Sequence, residues 1–351
     1  MQAPNNFLAK RRDAYSLVSV QLSSMSDKQL LTLIEQEAQL DRGIGGSTTA
    51  IEINGKKVFV KQIALSDLEQ QPNNVKSTAN LFNLPPYCHY GISSPGFGAW
   101  RELALHTMST EWVLTGCCQN FPIMYHWRIL PTSKPSSISS ELIEKLETEV
   151  KYWGGLESMR TRLQAINTAS ANIVIFSEYI PQTLSAWLSD KLAEGERAAD
   201  LAVEMVEKQL QVLTNFLKVK GLIHFDAHPR NILTDGHSLY LTDFGLALHN
   251  TFEMEEAEAK FFQEHVSYDR CETIMRLVQI LITNFFGKDN WQLRLQEYIS
   301  GKQKPLSPPI ASIINKYAPV AFIMSEFLQS LQRDKTTVYP KSKLERIDQD
   351  V

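Results

Sequence analysis

The sequence predicts an α+β protein in which a small β-rich part precedes a larger, mostly helical part. Alternating apolar residues from Thr49 to Val60 flank the dipeptide Asn54-Gly55, which favours the two-residue turn of a β-hairpin. From residue 181 onward, apolar residues recur mainly at helical spacing. A chain of 351 residues is long enough for two domains or for one unit with two lobes.

Composition places the chain among ordinary globular proteins and gives no sign of a polyanionic partner. Apolar residues make up 43% and charged residues 21%, and the formal net charge is −4. We therefore expect no nucleic-acid partner and no membrane partner. The most apolar stretch, Leu277 to Phe286, is too short to span a bilayer as a helix.

The cysteines and the amino terminus indicate a cytoplasmic protein. The four cysteines show no spacing typical of a zinc or redox site, so we expect free thiols in a reducing compartment. The first residues contain no apolar core after their basic residues, which argues against a secretory signal.

Local signals in the first part predict its elements in order. Residues 1–35 are expected to be an extension, loose up to about residue 15, in which Ser26 caps a helix over residues 28–35. The β-rich part follows at residues 36–180, and the hairpin there is expected to end its second strand at Lys61. Its other predicted elements are a long loop at 66–98, helices at 99–115 and 136–168, and strands at 121–130 and 172–181.

The second part, residues 181–335, reads as a series of helices around one hairpin. The predicted helices are 183–193, 199–218, 251–265, 271–286, 291–298 and 318–331. Within the second of these, Leu201, Met205, Leu210, Leu213 and Leu217 are expected to form a buried apolar stripe. Residues 336–351 are expected to be a polar, solvated tail.

The stretch from Gly221 to Ala247 brings chemically useful side chains together. A strand up to Leu233, a tight turn at Asp235-Gly236 and a second strand up to Thr242 predict a hairpin. The hairpin places Asp226, Asn231 and Asp243 at one end of two paired strands. Two carboxylates and an amide oxygen suit Mg²⁺, which binds oxygen ligands and phosphates.

These residues resemble the protein-kinase superfamily. His224-x-Asp226-x-x-x-x-Asn231 is similar to its catalytic loop, and Asp243-Phe244-Gly245 is similar to its metal-binding triplet. The resemblance implies a bilobal fold with ATP and Mg²⁺ as cofactors. It further implies that Asp226 accepts or orients the proton of the substrate hydroxyl, and that Asn231 and Asp243 hold the metal ions.

A glycine-rich segment precedes the hairpin of the β-rich part. Glycines 43, 45 and 46 and Ser47 suit close approach of backbone amides to phosphates, although such a run is also typical of a flexible turn. Lys61 resembles the kinase lysine that pairs with the ATP phosphates. Glu102 is the expected carboxylate partner of Lys61, and Glu111 is the alternative.

The resemblance extends to the strand that would lead from one lobe to the other. The backbones of Glu178 and Ile180 are expected to meet the adenine edge, with Ser177 before them, although a buried strand that ends at a proline explains the same letters. Asp269 resembles the aspartate that anchors the catalytic-loop backbone. Inserts are expected at residues 66–98 and 135–170, the first facing substrate or covering a sheet edge.

Several positions depart from protein kinases and leave the phosphate acceptor open. His228 and the short helical segment after the triplet are similar to aminoglycoside and choline phosphotransferases. Phe225 replaces an arginine that would bind a phosphorylated loop, which implies constitutive activity or another form of control. We expect a Ser/Thr hydroxyl as acceptor. A small-molecule hydroxyl, a nucleotide-binding pseudokinase scaffold and AMP transfer are the alternatives.

Overall fold

The computed structural model describes residues 4–37, 39–43, 46–132 and 139–349. Its contacts divide the chain into two units. The first comprises Met1–Tyr179, Asp243–Ala247 and Thr251–Glu258, and the second comprises Ile180–Thr242, Leu248–Asn250 and Ala259–Val351. The predicted mixed α+β class is confirmed.

Among its described residues, the first unit contains one antiparallel sheet of five strands: β1 (Gln39–Gly43), β2 (Gly46–Ile53), β3 (Lys56–Leu65), β4 (Met124–Pro131) and β5 (Ala171–Glu178). Their order in the sheet is β1-β2-β3-β5-β4. Its helices are α1 (Pro4–Ser24), α2 (Asp27–Glu35), α3 (Ala99–Leu114), α4 (Ser140–Tyr152) and α5 (Glu157–Thr168).

The hairpin β2–β3 has the turn that the sequence predicts. Asn54 and Gly55 both adopt positive φ, 50° and 70°, and Ile53 pairs with Lys56 across them. Positive φ at both central residues matches the right-handed twist of the flanking strands. Strand β3 continues to Leu65, so the expectation that it ends at Lys61 is wrong. Lys61 therefore lies inside a strand that is paired on both sides.

The amino-terminal part is helical from Pro4, which corrects the expectation of a loose segment up to residue 15. Helix α1 is polar overall, but its residues Arg11, Val18 and Leu22 are buried. Helix α2 begins as predicted, because Ser26 accepts from the amide of Gln29 at 3.4 Å and Gln29 accepts from the amide of Ser26 at 2.8 Å.

The predicted long loop at 66–98 contains two short 3₁₀ turns and contributes to a buried apolar core. Residues from this segment pack against residues from α4 and α5 in one buried cluster: Phe82, Leu84, Cys88, Phe97, Leu146, Val150, Trp153, Met159 and Leu163. The two segments predicted separately as inserts thus share a core in the first unit. A common apolar core fixes a loop that has few ladder hydrogen bonds.

The second unit combines small antiparallel sheets with long helices. Its strands are β6 (Gln182–Thr183), β7 (Leu222–Ile223), β8 (Ile232–Thr234), β9 (Leu239–Leu241) and β10 (Leu248–His249), paired as β6-β8-β9 and β7-β10. Its helices are α6 (Leu184–Ala193), α7 (Glu196–Lys220), α9 (Tyr268–Phe286), α10 (Trp291–Ile299), α11 (Pro308–Arg333) and α12 (Lys341–Gln349). Helix α8 (Glu256–Glu264) begins in residues of the first unit and ends in the second.

Two expectations for the second unit need correction in detail. Leu201 is 62% exposed, and the buried stripe of α7 instead includes Ala202 and Val206. The hairpin β8–β9 has a four-residue connection, because Thr234 pairs with Leu239. Asp235 closes that connection by accepting from two backbone amides, which an aspartate at a turn does readily.

The carboxyl-terminal segment is not the solvated tail that its polar composition predicts. It forms α12, and Tyr339 and Leu344 are buried. The Tyr339 ring stacks on His265 with ring centroids 4.7 Å apart. Two buried side chains in a polar run are enough to attach the segment to the second unit. In the part of the chain that the structure describes, no helix has the length and apolarity needed to cross a bilayer.

Candidate active site

A lysine, a glutamate and an aspartate meet beside strand β3 in the first unit. Lys61 Nζ lies 2.6 Å from Glu102 Oε1 and 2.7 Å from Asp243 Oδ1. The Lys61 and Glu102 side chains are buried, whereas 46% of the Asp243 side chain is exposed. The structure thus pairs Lys61 with the predicted glutamate. The alternative, Glu111, is exposed further along α3.

The two carboxylates determine the charge of the lysine. Burial by itself lowers the pKa of Lys61, but the negative charges of Asp243 and Glu102 more than offset this, so the pKa is raised. The amine is therefore an ammonium ion at neutral pH. Removing two charges from water costs about as much energy as their attraction supplies, so a buried ion pair adds little net stability. Stability alone therefore does not explain this group.

Asp243 begins a sharp bend of the chain. Its φ is 66°, a left-handed conformation that aspartate tolerates better than most residues. Phe244 is buried and meets the His106 ring edge-on at 5.0 Å. A Cβ added to Gly245 would lie 3.4 Å from Glu102 Oε2 and 3.6 Å from Asp243 Oδ1, so both carboxylates lie beside the backbone of residue 245.

The predicted phosphate-binding segment is described only in part. Gly43 pairs with Gly46 across β1 and β2, whereas Gly45 lies outside the described residues. A Cβ on Gly46 would collide with the carbonyl oxygen of Gln62, so strand packing by itself requires a glycine there. Ser47 pairs with the same Gln62 in the ladder of β2 and β3. The phosphate contact of this segment stays a prediction.

The predicted adenine-binding residues lie at the end of β5 and just after it. The amide of Glu178 donates to the carbonyl oxygen of Ile123 at 2.8 Å, and its carboxylate pairs with Arg11 at 2.6 Å. An adenine contact from Glu178 would therefore have to come from its carbonyl group. Ile180 is the first residue of the second unit. The Arg11 partner belongs to α1 and has no counterpart in the sequence prediction.

In the second unit, His224 holds the loop that carries Asp226. Its Nδ1 accepts from the Asp226 amide at 3.3 Å, and its Nε2 lies 3.0 Å from the carbonyl oxygen of Thr242. A carbonyl only accepts, so this pattern assigns the proton to Nε2. His224 is fully buried, which fits a role in holding the loop.

The Asp226 carboxylate is oriented by two side chains of the same loop. Asn231 Nδ2 donates to Asp226 Oδ2 at 2.9 Å, and His228 Nε2 lies 3.5 Å from Asp226 Oδ1. His228 Nδ1 accepts from the amides of Arg230 and Asn231, so Nε2 carries the hydrogen that faces the carboxylate. The sequence marks His228 only as a departure from protein kinases, and its orienting contact is new.

Asp269, at the start of α9, accepts from two consecutive amides of the loop. The distances are 2.7 Å from His224 N to Oδ2 and 3.0 Å from Phe225 N to Oδ1. Phe225 adopts a φ of 62°, which is uncommon for an aromatic residue, and its buried ring packs on Phe261 and Tyr268. The carboxylate and the ring cluster together hold this conformation.

Two buried carboxyl groups of α9 have raised pKa values. Burial raises the pKa of Asp269 to about 7, although the hydrogen bonds that it accepts from two amides act in the opposite direction. Burial also raises the pKa of Glu272 to about 8, and the charges of Asp226 and Asp269 add to the effect while Arg276 opposes it. Glu272 lies 3.6 Å from Arg276 Nη2 and gave no motif that a sequence reading would detect.

No protein-family profile matches the chain, and a search of curated proteins returns no relative. The assignment of a function therefore depends on the residues and contacts described above.

Proposed function

We propose that the chain is an ATP- and Mg²⁺-dependent phosphotransferase with a bilobal, protein-kinase-like fold, and that it transfers the γ-phosphate to a Ser or Thr hydroxyl. The observation that carries the proposal is the Lys61 ammonium held between Glu102 and Asp243. A fixed cation next to a half-exposed carboxylate suits the neutralisation of phosphate charge. Phosphoryl transfer depends mainly on positioning and on such charge neutralisation.

Each of the two proposed metal residues offers an oxygen of the kind that a magnesium ion binds. Asp243 offers a carboxylate with 46% of its side chain exposed. Asn231 donates through Nδ2 to Asp226, which leaves its amide oxygen as an acceptor. These two residues would hold the metal, which supplies positive charge to the phosphates and keeps several waters of its own. ATP would meet the Lys61 ammonium through its phosphates.

Asp226 is the residue proposed to act on the hydroxyl of the acceptor. Its carboxylate is fixed from two sides by Asn231 and His228, yet 20% of the side chain remains exposed. An oriented and accessible carboxylate accepts a proton or directs a hydroxyl, which contributes to the rate of such a transfer. His224 and Asp269 keep the loop in this geometry through backbone contacts.

The primary test follows labelled phosphate from ATP. The full chain is incubated with Mg²⁺ and γ-labelled or α-labelled ATP, alone, with dephosphorylated proteins, and with small hydroxyl compounds that include an aminoglycoside and choline. We expect γ-label on Ser or Thr of protein. If the chain shows neither nucleotide binding nor transfer of either label under any of these conditions, the proposal is wrong.

Variants connect the activity to the site. Asp226→Asn should lower kcat by roughly 10²- to 10⁴-fold while ATP binding changes little, because general acid–base catalysis contributes about that much. Asp243→Asn should abolish Mg·ATP-dependent turnover and leave folding near normal. Asp190→Asn, an exposed aspartate of the second unit, is the matched control and should behave as wild type. Equal activity of Asp243→Asn and the control would contradict the metal assignment.

A small-molecule acceptor is the second candidate function. The observation that favours it is the contact of His228 with Asp226, since this histidine stands at a position where the sequence resembles small-molecule phosphotransferases. Transfer of γ-label to the aminoglycoside or to choline, with none to protein, would identify that class. Transfer of α-label would identify AMP transfer, and binding without turnover would identify a nucleotide-binding scaffold.

A further inference from the structure

A second group of buried charges lies in the first unit, centred on Glu258. Its carboxylate accepts two hydrogen bonds from Arg101, from Nη1 to Oε1 at 2.6 Å and from Nη2 to Oε2 at 2.9 Å. Both side chains are about 3% exposed. Although burial by itself raises the pKa of Glu258, hydrogen bonds from His89 and Arg101 lower it to about 2, so the carboxylate is ionised.

His89 joins this pair to the chain that follows the candidate metal residue. Its Nε2 lies 3.0 Å from Glu258 Oε1, and its Nδ1 lies 2.8 Å from the carbonyl oxygen of Leu246. Leu246 is three residues after Asp243. The histidine ring is fully buried and stacks on Phe97, with ring centroids 3.8 Å apart. A carbonyl and a carboxylate both only accept, so His89 joins Glu258 to the backbone just beyond Asp243 when each of its ring nitrogens carries a hydrogen.

Arg101 connects the same cluster to two further segments. Its Nε donates to the carbonyl oxygen of Thr78 at 2.7 Å, and Thr78 Oγ1 accepts from the amide of Glu253 at 3.0 Å. Its guanidinium lies 5.2 Å from the Phe97 ring and 5.5 Å from the Phe252 ring. One side chain of α3 thus holds both the 66–98 segment and the segment 251–258.

The position of Arg101 in the sequence makes this arrangement relevant to the site. The next residue of α3 is Glu102, which pairs with Lys61. On the other side, Gly96 of the 66–98 segment lies so close to the Gly245 carbonyl that an added Cβ would be 2.5 Å from its oxygen. The cluster therefore contains the sequence neighbour of Glu102 and contacts the backbone three residues after Asp243.

We propose that His89, Arg101 and Glu258 are positioning residues, which fix Asp243 relative to the Lys61–Glu102 pair. They also hold the 66–98 segment in one position, so that it acts as a fixed clamp and does not open and close as a lid. Three buried polar groups are costly to desolvate, and apolar residues of similar volume would stabilise a core at least as well. Their hydrogen-bond geometry instead defines the spacing of α3 and of residues 243–247. The proposal rests on the proposed phosphotransferase function.

The test compares Glu258→Gln with Glu256→Gln, an exposed glutamate of the same helix. In the full chain, Glu258→Gln should lower kcat roughly 10- to 100-fold, because small displacements of catalytic groups have effects of that size. The KM for ATP should change far less. Glu256→Gln should leave both parameters unchanged. Arg101→Lys, which keeps the charge but loses the two-pronged contact, should give an intermediate kcat and serves if Glu258→Gln does not fold.

A measurement that needs no turnover separates this inference from the proposed function. An amine-acylating reagent, applied to the folded chain and read by peptide mass spectrometry, reports how firmly the Lys61 ammonium is held. Glu258→Gln and Arg101→Lys should each raise the acylation rate of Lys61 several-fold relative to Glu256→Gln. Hydrogen exchange of residues 86–92 should be slow without nucleotide and should not change when ATP is added.

Each outcome decides one of the two proposals. If the wild type neither binds nor turns over ATP but Lys61 acylation rises in the two variants, the positioning role is supported and the phosphotransferase proposal is wrong. If the wild type transfers phosphate but Glu258→Gln matches Glu256→Gln in kcat and in acylation, the positioning role is wrong. Fast exchange of residues 86–92 that slows on adding ATP would identify a lid and would likewise overturn the clamp.

Discussion

The carboxylate of Asp269 accepts a 2.7 Å hydrogen bond from the backbone amide of His224, a residue 45 positions earlier in the chain. Its second oxygen accepts from the amide of Phe225 at 3.0 Å. Both contacts lie inside the second unit and fix the backbone directly before Asp226. A single buried side chain of α9 thereby determines where the proposed catalytic carboxylate stands.

We predict that Asp269→Asn destabilises the second unit and loosens this loop. An asparagine offers one oxygen, so one buried amide loses its acceptor, at a cost of about 1–3 kcal/mol in the free energy of unfolding. Urea denaturation at pH 8, where the wild-type carboxylate is mostly ionised, measures the loss. Hydrogen exchange at His224 and Phe225 should accelerate. Asp190→Asn is the control, and equal stability of the two variants would refute the anchoring role.

A comparison of two glycines tests the close approach of the 66–98 segment to residue 245. Gly96 and Gly55 have nearly equal φ values, 74° and 70°, but only Gly96 faces an obstacle, the Gly245 carbonyl. Gly55→Ala should cost about 1–2 kcal/mol for its left-handed backbone alone. Gly96→Ala should cost about 1–3 kcal/mol more because the added methyl group must displace the carbonyl. Thermal unfolding of both variants measures this difference, and equal losses would exclude the close contact.

Local signals explain which parts of the fold the sequence predicts. The Asn54-Gly55 turn and the Ser26 cap each depend on residues a few positions apart, so their chemistry is visible in the letters. The pairing of Lys61 with Glu102 is also predicted, but from the resemblance to protein kinases and not from the spacing of the two residues. A lone glutamate on a helix otherwise carries no sign of its partner.

Long-range contacts of charged residues explain what the sequence does not predict. Arg101 and Glu258 are 157 positions apart, and neither belongs to a periodic pattern that would mark it as buried. Polar composition also predicts that the first and last segments are solvated. Arg11 and Tyr339 are nevertheless buried, because each finds specific partners that local composition cannot reveal. A charged residue is predicted to be exposed unless its buried partner is known.

Arg11 provides a prediction about the amino-terminal helix. Its guanidinium donates to the Glu178 carboxylate and to the carbonyl oxygens of Gln119 and Phe121, at 2.6 to 3.0 Å for the closest contact of each. Arg11→Ala should lower the unfolding free energy by about 3 kcal/mol, because it removes the buried cation that pairs with Glu178 and the donor to two carbonyls.

The neighbouring arginine offers a matched control on the same helix. Within the described part of the chain, the Arg12 side chain donates only to the carbonyl oxygen of Leu114, and that contact is exposed. Arg12→Ala should therefore cost less than about 1 kcal/mol. Chemical denaturation with a probe in the first unit gives both values. Similar losses in the two variants would show that the buried contacts of Arg11 do not attach α1.

Glu272 makes stability depend on pH in a defined direction. Burial raises its pKa from 4.5 to about 8, with the charges of Asp226 and Asp269 adding to the rise and Arg276 opposing it. Between those two pH values the folded protein binds more protons than the unfolded chain, so stability falls as pH rises. The effect of this group is at most about 1.4 kcal/mol per pH unit. Below pH 4.5 the contribution of the neutral acid is fully present, and it is lost as pH passes 8.

Replacing the acid by its amide tests this sign. Glu272→Gln cannot ionise, so its unfolding free energy should decline less steeply than that of wild type between pH 5 and pH 8. Asp269, whose pKa is raised to about 7, keeps a residual slope of the same sign. Urea denaturation at pH 5, 6.5 and 8 provides the comparison, with exposed Glu204→Gln as control. The unfolding free energy of Glu272→Gln relative to that of the control should increase with pH. If the two plots of unfolding free energy against pH run parallel, Glu272 is ionised throughout this range.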